Sequence, residues 1–313
     1  MLGKTAGGLL WMARYLERSE NIARLVDAGF RIALTRAASA EDEWSSILAT
    51  AAAQHSFVER YKKIDGPSAI NYLLRDKENP SSVLSAIESA RSNARLVRTA
   101  LTREVWESVN VCWMTLKEAL SRPVQQSELP ALLGTIRQQS ALVRGAMHGT
   151  MLRNDIYNFV RIGTLLERAD NTSRILDVKY YVLLPAASSV GSELDNVQWE
   201  TILRCTSAER AFGWLHGGEV SPTHIAEFLI LDRRMPRSLA FCYHGLLANL
   251  THLQKDLNER QSCIAHAHAI AQRLETQSIQ SIFSSGLHEF ISDFIRDNSI
   301  LARRVEEDYR FYG

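Results

Sequence analysis

The sequence predicts an all-α protein, a bundle of long helices, on three observations. Apolar residues recur at steps of three and four over long stretches, which is the spacing of one helix face. Only 7 Pro and 16 Gly interrupt the 313 residues, and no stretch alternates apolar and polar residues as a half-buried strand does. Because 46% of the residues are hydrophobic, we expect one helical domain over 1–313, or two related halves, 1–150 and 151–313.

The helices can be placed in order from their apolar spacing and their end signals. Leu9 and Met12 begin the apolar face of the first long helix. Pro67 suits the first turn of a later helix, and Pro185 ends another before a loop predicted at 185–192. The predicted helices are 7–38, 41–54, 57–63, 67–75, 83–120, one from 127 or 128 to 151, 155–184, 193–208, 222–231, 236–259, 263–277 and 286–309.

The charge balance and the cysteines exclude several classes. The chain carries 36 basic and 35 acidic residues, so bulk electrostatics does not support nucleic-acid binding, and only a local basic patch is left as a route to it. No apolar stretch approaches the roughly 20 residues that span a bilayer, and the short run after Lys4 ends at Arg14, too soon for a secretory signal. We expect a cytoplasmic protein without membrane contact. Its cysteines lack CxxC spacing and predict buried, reduced thiols: Cys112, Cys205, Cys242 and Cys263.

One charged sequence word occurs twice, 150 positions apart. Residues 16–27, the first word, read LERSENIARLVD, and residues 166–177, the second word, read LERADNTSRILD. Leu, Glu, Arg, Asn, Arg and Asp match in place, and Glu20 is answered by Asp170. Solvent tolerates almost any polar residue, so charges repeated in order indicate a specified polar site or two related halves of one fold.

The spacing of the charges predicts how the two words are used. Residues three or four apart share a helix face, so each word makes a stripe of carboxylates and guanidiniums. Arg18 falls instead among apolar neighbours, where a guanidinium must be paired or must reach water. We expect a buried network that joins two long helices, with Arg18 and Arg168 crossing to carboxylates. The stripes are Glu17, Glu20, Arg24 and Asp27, and Glu167, Asp170, Arg174 and Asp177.

Other interpretations of the words stand beside this one. An isolated Glu20–Arg24 pair would contribute only about 0.3–0.5 kcal/mol and would need no site. Helical di-metal sites also use carboxylates at this spacing, but they need Glu-x-x-His motifs, and the arginines here oppose a cation. The chain has no P-loop and no nucleophile elbow. We expect no metal and no cofactor, and an architectural ion-pair core stays as open as an active site.

Further segments carry a resemblance to a known family. They are WMARYLER at 11–18, ARSNARLVR at 90–98 with EVWESVN at 104–110, TMLR at 150–153 with Phe159 and Gly163, and FLILD at 228–232 with PRS at 236–238. With its ER words, the chain resembles the bacterial alpha-E family over nearly its whole length. That family is described as a predicted α-helical domain with an ER motif and no settled function. The basic Arg233-Arg234-Met235 departs from the family's Asp-x-x-Phe-Pro-Arg-Ser, with Met in place of Phe.

The resemblance implies partners rather than a reaction. Alpha-E proteins typically lie beside, or are fused to, a circularly permuted ATP-grasp protein, often with a transglutaminase-like protein and in some clusters with a proteasome-like peptidase. ATP-grasp enzymes activate a carboxylate as an acyl-phosphate and join it to an amine. The resemblance therefore implies a helical partner that holds the acceptor or a small-peptide product of such a ligase.

Three hypotheses of different classes follow. The chain is an accessory or substrate-binding partner of an ATP-grasp amide ligase, or an enzyme acting on amide or acyl-phosphate substrates, or a structural bundle locked by ion pairs. In the enzyme, carboxylates would be the acid or base and arginines would grip a carboxylate or phosphate. The candidate catalytic residues are Glu17, Glu167 and Asp170, and the candidate substrate-binding residues are Arg18, Glu20, Asn21, Arg24, Arg91, Arg168, Asn171, Arg174, Asp232 and Arg237.

Overall fold

The computed structural model describes residues 3–35, 40–181, 193–217, 221–257 and 262–312, and over these residues it confirms the all-α prediction. The helices are α1 Gly3–Thr35, α2 Ala40–Thr50, α3 Gln54–Val58, α4 Gly66–Leu74, α5 Val83–Leu96, α6 Arg103–Ala119, α7 Leu129–Thr150, α8 Asp155–Tyr181, α9 Glu193–Cys205, α10 Glu209–His216, α11 Pro222–Ile230, α12 Leu239–Leu257, α13 Ser262–Thr276, α14 Ile279–Ser285 and α15 Leu287–Asp308.

Helices α1 and α8, which carry the two words, lie against each other at the centre of the bundle. Helix α1 also packs on α5 and α7, and α8 packs on α12 and α15. The close approach depends on Gly163, because a Cβ atom there would lie 2.3 Å from the backbone oxygen of Leu10. Apolar side chains on both helices are buried in one continuous core, so the charged residues that share these faces are carried inside with them.

Some predicted boundaries are wrong, for local reasons. The helix predicted at 83–120 is broken after Leu96, where a short 3₁₀ turn at Arg98–Ala100 precedes a new helix. Thr102 starts that helix by accepting a hydrogen bond from the Val105 backbone N–H at 3.3 Å. Helices α10 and α14 were not predicted. The end of the helix at Pro185 and the loop at 185–192 lie outside the described residues.

The order of elements in the first part of the chain recurs in the second. Helix α2 ends in a turn where Ala52 has φ +53°, and α9 ends in a turn where Ser207 has the same φ. In the first turn the Ala53 N–H donates to Leu48 O at 2.8 Å, and the equivalent bond 155 positions later is 2.7 Å. The rings behind these turns correspond as well, because Phe57, Tyr61 and Tyr72 form the same stacked and edge-on set as Phe212, His216 and Phe228.

A second pair of turns leads into α5 and α12. Residues 72–82 read YLLRDKENPSS and residues 228–238 read FLILDRRMPRS. In each turn the aspartate accepts from the backbone N–H two residues later, at 3.0 Å for Asp76 and 2.7 Å for Asp232. In each turn the last serine caps the next helix, which is why α12 begins at Leu239 and not at 236. At this spacing of 156 positions, Ser81 corresponds to Arg237.

Candidate functional site

The two words meet where α1 crosses α8, and their Glu-Arg pairs bind each other reciprocally. Arg168 donates to both carboxylate oxygens of Glu17, at 2.8 Å from Nε and 3.0 Å from Nη2. Arg18 donates to both oxygens of Glu167 with the same two nitrogens, at 2.6 and 3.1 Å. The crossing expected for Arg18 and Arg168 is therefore confirmed. Each word therefore contributes one glutamate and one arginine to the two bidentate salt bridges.

A third arginine fills one side of the crossing. Arg237 reaches in from the turn before α12 and donates from Nη1 to Glu17 at 3.2 Å and to Asn21 at 3.0 Å. Its Nη2 donates to Glu20 at 2.8 Å. The backbone carbonyl of Arg237 also accepts from Thr172 Oγ1 at 2.8 Å. We call this arrangement, Arg237 with Glu17, Glu20 and Asn21, the closed side of the crossing.

Two further arginines complete the closed side. Arg24 donates to Glu20 Oε1 at 2.6 Å from Nη2 and bonds the hydroxyl of Ser207 through Nη1. Arg144 of α7 donates to the other Glu20 oxygen at 2.7 Å. Arg168 also reaches the Pro236 carbonyl at 3.2 Å. The two carboxylates of the closed side are therefore surrounded by four guanidiniums.

These contacts set the ionisation of the carboxylates. Burial alone would raise the pKa of Glu17, but Arg168 and Arg237 outweigh it and hold that pKa far below its usual value of 4.5. The pKa of Glu20 is also lowered, since Arg237, Arg24 and Arg144 outweigh burial and the charge of Glu17. Burial lowers the pKa of Arg237 to about 10, so it stays charged at neutral pH. A carboxylate held ionised in this way is a weak base and cannot donate a proton.

The other side of the crossing is an open pocket of about 160 Å³. Glu167 lines this pocket and accepts hydrogen bonds from Arg14, at 3.0 Å, and from Arg18. Burial alone would raise the pKa of Glu167, but the charges of these two arginines outweigh it and lower that pKa. Asp170 lies beside it, paired with Arg174 at 2.7 Å. The residues of this open pocket are Arg18, Asn21, Ile22, Leu25, Thr50, Ala51, Ala52, Ser81, Glu167, Asp170, Asn171 and Arg174.

Two asparagine side chains, Asn21 and Asn171, line the open pocket. Asn171 is only 8% exposed, and its side chain has no hydrogen bond to any residue that the structure describes. Asn21 lies between the two sides, because its Oδ1 accepts from Arg237 while its buried Nδ2 has no partner in the described chain. A buried amide N–H normally has a hydrogen-bond partner, so the unbonded Nδ2 of Asn21 indicates a site for another polar group.

The structure brings together most of the predicted site residues, but not all. Arg91 lies away from the crossing, where it donates to Asn110 at 2.8 Å and stacks 4.0 Å over the Trp113 ring. The Asp232 carboxylate bonds Arg234 at the chain surface and shapes the turn before α12. The other predicted residues lie at the crossing: Glu17, Arg18, Glu20, Asn21, Arg24, Glu167, Arg168, Asp170, Asn171, Arg174 and Arg237.

Three residues of the crossing were not predicted from the sequence. Arg14 lies one turn before Arg18 on the same face of α1, and this spacing was its available signal. Arg144 comes from α7 and carries no repeat that would mark it. Ser81 is a small polar residue in a turn, and only its correspondence with Arg237 singles it out.

The described residues also show what the chain offers for metal binding, for crossing a membrane and for disulfide formation. Over those ranges, no group of three or more His, Cys, Asp or Glu side chains is arranged to hold a metal ion. Among the helices that the structure describes, none is both long and apolar enough to cross a membrane. All four cysteines are buried and unbridged.

These features define a class of protein, an all-α bundle whose two central helices exchange Glu-Arg pairs. The chain belongs to the Alpha-E family, a predicted alpha-helical domain with a conserved ER motif, which matches residues 1–309. It is 22% identical to the uncharacterised protein Mb2597 of Mycobacterium bovis and 21% identical to the uncharacterised protein Rv2567 of Mycobacterium tuberculosis, each over 308 residues. The matches cover 92% of this chain and 34% of each relative, so it spans about a third of the length of the curated relatives it matches. No solved structure matches the chain.

Proposed function

We propose that this chain is a cytoplasmic, substrate-binding partner of a circularly permuted ATP-grasp amide ligase. The open pocket between the two words is the observation that carries the proposal. Its walls present carboxylates, guanidiniums and an unbonded amide, which are groups that hold and orient a polar ligand. The four buried, unbridged thiols support the cytoplasmic location.

The ionisation of the carboxylates favours binding over catalysis. Arginines hold the pKa values of Glu17, Glu20 and Glu167 below the usual range, so these groups neither donate a proton nor accept one readily at neutral pH. The same arginines fix the carboxylates in one geometry, which suits recognition. The ligase would form the acyl-phosphate, and this chain would present the amine acceptor or hold the amide product.

The length of the mycobacterial relatives also supports the proposal. About two thirds of the mycobacterial proteins lies outside the matched region, since the match covers 34% of their length. A helical domain that occurs within longer chains is well placed to act together with a neighbouring domain of the same chain. A transglutaminase-like protein is the second partner that we propose, on the family resemblance.

Affinity purification from the native host tests the partnership. We expect an ATP-grasp protein to be recovered in stoichiometric amount, and ATP-dependent ligation by that protein to be faster, or to give a different product, when this chain is added. An ATP-grasp protein that never co-purifies would overturn the proposal. The same rate and the same product with and without the chain would overturn it as well.

An enzyme remains the second candidate, because Asp170 lines the open pocket and could act as a base there. Asp170→Asn separates the two candidates, since the substitution keeps the size of the side chain and removes the charge. In the enzyme, it abolishes turnover by the isolated chain while the melting temperature stays near that of the wild type. In the binding partner, the isolated chain has no turnover to lose, and the substitution weakens ligand binding.

A further inference from the structure

The two sides of the crossing differ at the position of Arg237, and that difference identifies a ligand. On the closed side, Arg237 donates to three acceptors, Glu17, Glu20 and Asn21. The equivalent residues, 150 positions later in the second word, are Glu167, Asp170 and Asn171, and all three line the open pocket. The residue that corresponds to Arg237 is Ser81, which also lines that pocket and is too short to fill it.

We propose that the open pocket binds the guanidinium group of a ligand, in the position that corresponds to the Arg237 guanidinium. The inference deepens the proposed function, on which it rests for the role of the pocket, by naming the chemical class of the substrate. The ligand is a guanidino compound, either a free amino acid of the arginine type or an arginine side chain within a peptide.

The charges around the open pocket match those of the closed side, which accommodates the guanidinium of Arg237. Before Arg237 is counted, the closed side has two carboxylates and the guanidiniums of Arg24, Arg144 and Arg168. The open pocket likewise has two carboxylates, with the guanidiniums of Arg14, Arg18 and Arg174. The net charge of the two sides is therefore the same.

The geometry of the acceptors selects a guanidinium. In each word the first acid already holds a bidentate arginine from the other word, and the second acid holds the arginine four residues later. Glu167, Asp170 and Asn171, the counterparts of the three acceptors of Arg237, all line the open pocket. Acceptors on three separate side chains suit a planar fork with five N–H donors better than a compact ammonium. Asn171 supplies the counterpart of the Asn21 acceptor, and it has no other partner in the described chain.

The size and the walls of the open pocket agree with this ligand. A cavity of about 150 Å³ accommodates a group of benzene size, so the 160 Å³ here accommodates a guanidinium with the first methylenes of its chain. The closed side bears the hydroxyls of Thr172 and Ser207, whereas the open pocket has Ile22 and Ala52 at the equivalent positions. Those apolar side chains would pack against the methylene stem, as arginine stems commonly do on apolar surface.

Calorimetry and thermal melting of the purified full chain test the proposal directly. The probes are methylguanidine, L-arginine and Nα-acetyl-L-arginine amide, with sodium chloride and urea as controls for ionic strength and denaturing action. We expect the guanidines to bind, and at about 100 times Kd to raise the melting temperature by on the order of 5 °C. L-arginine binding more tightly than the blocked amide would indicate a free amino acid, and the reverse order would indicate a peptide.

Anions provide the opposing arm of the same experiment. Acetate and inorganic phosphate would use the unbonded Nδ2 of Asn21 and the arginines that line the open pocket. We expect neither anion to stabilise the chain beyond the sodium chloride control. Stabilisation by acetate or phosphate but not by methylguanidine would overturn the proposal, and so would the absence of any response to the guanidines.

Ser81→Arg turns the open pocket into a copy of the closed side. The substituted side chain would reach Glu167, Asp170 and Asn171, so we expect a higher melting temperature and complete loss of methylguanidine binding. Ser92→Arg is the matched control, because it places an arginine on the exposed surface of α5, the helix that follows the turn of Ser81. Retention of methylguanidine binding by Ser81→Arg would overturn the proposal.

Arg237→Ser is the mirror experiment. It removes the guanidinium from the closed side and leaves the acceptors of Glu17, Glu20 and Asn21 unfilled. We expect a lowered melting temperature that methylguanidine partly restores, and a second binding site in calorimetry. The absence of a second site in the folded variant would contradict the equivalence of the two sides, and the Ser81→Arg arm decides the proposal by itself where Arg237→Ser does not fold.

These outcomes separate the inference from the proposed function. Guanidine binding that Ser81→Arg abolishes, in a chain that does not affect ligation, would support the inference and overturn the partnership. Stimulation of ligation by a chain that does not bind guanidines would support the partnership and overturn the inference.

Discussion

Glu17→Gln should destabilise the protein much more than Glu167→Gln, although both residues occupy the same place in the repeated word. The Glu17 side chain is 2% exposed and its main partners, Arg168 and Arg237, are each 8% exposed. Removing its charge leaves the buried guanidinium of Arg168 without its counter-ion, and Arg237 keeps only Glu20; breaking a buried pair on one side costs about 3–5 kcal/mol. Glutamine keeps the size of the side chain, so no cavity contributes to the loss.

Glu167→Gln should cost less because its partners can reach water. The side chains of Arg14 and Arg18 are 16% and 22% exposed, so solvent replaces part of the lost interaction. The loss should then be about 1–3 kcal/mol, as for a charged hydrogen bond that is partly compensated.

Urea unfolding, followed by circular dichroism at neutral pH, measures both losses, and thermal melting gives a second estimate. At about 2–4 °C per kcal/mol, Glu17→Gln should lower the melting temperature by roughly 6–20 °C. Equal losses for the two variants, or a greater loss for Glu167→Gln, would refute the assignment of the closed side as the more buried of the two.

Three further predictions concern the fold, acid stability and a residue away from the site. Gly163→Ala should destabilise the chain by about 1–3 kcal/mol in urea unfolding, because the added Cβ would lie 2.3 Å from the Leu10 carbonyl oxygen. A loss of less than about 0.5 kcal/mol would contradict this close contact between α1 and α8. The free energy of unfolding should fall as the pH drops below 4.5, the ordinary pKa of a glutamate, because the folded protein holds the pKa of Glu17 lower than the unfolded chain does. Glu17→Gln should make this fall less steep. An unchanged slope of the free energy against pH in the variant would contradict the prediction. Arg91→Ala should cost about 1 kcal/mol through its contact over Trp113 and leave ligand binding unaltered, so altered binding would contradict its place outside the site.

Much of the fold could be predicted because its helices are long and periodic. The break at 97–102 could not, since that segment has no Pro or Gly and its end signals are a Thr cap and the burial of Val97. Tertiary packing decides such a boundary, and a single sequence does not carry that information.

The core of the site could be predicted because Arg18 falls on an apolar face, where a charge needs a partner. Arg144 could not, because nothing in its own helix distinguishes it from a solvated arginine. The correspondence of Ser81 with Arg237 is present in the sequence, but the spacing changes from 150 to 156 positions between the words and the turns. Loops tolerate such changes in length, so a comparison at one fixed spacing misses the second repeat.

The most direct test of the account is the rate of ATP-dependent ligation by the co-purified ATP-grasp protein with three forms of this chain. If the open pocket holds the substrate, wild type and Ser92→Arg stimulate ligation equally, whereas Ser81→Arg co-purifies with the ligase and gives only the rate seen without the chain. Stimulation by Ser81→Arg at the wild-type level would contradict the claim that the pocket between the two words is the functional site.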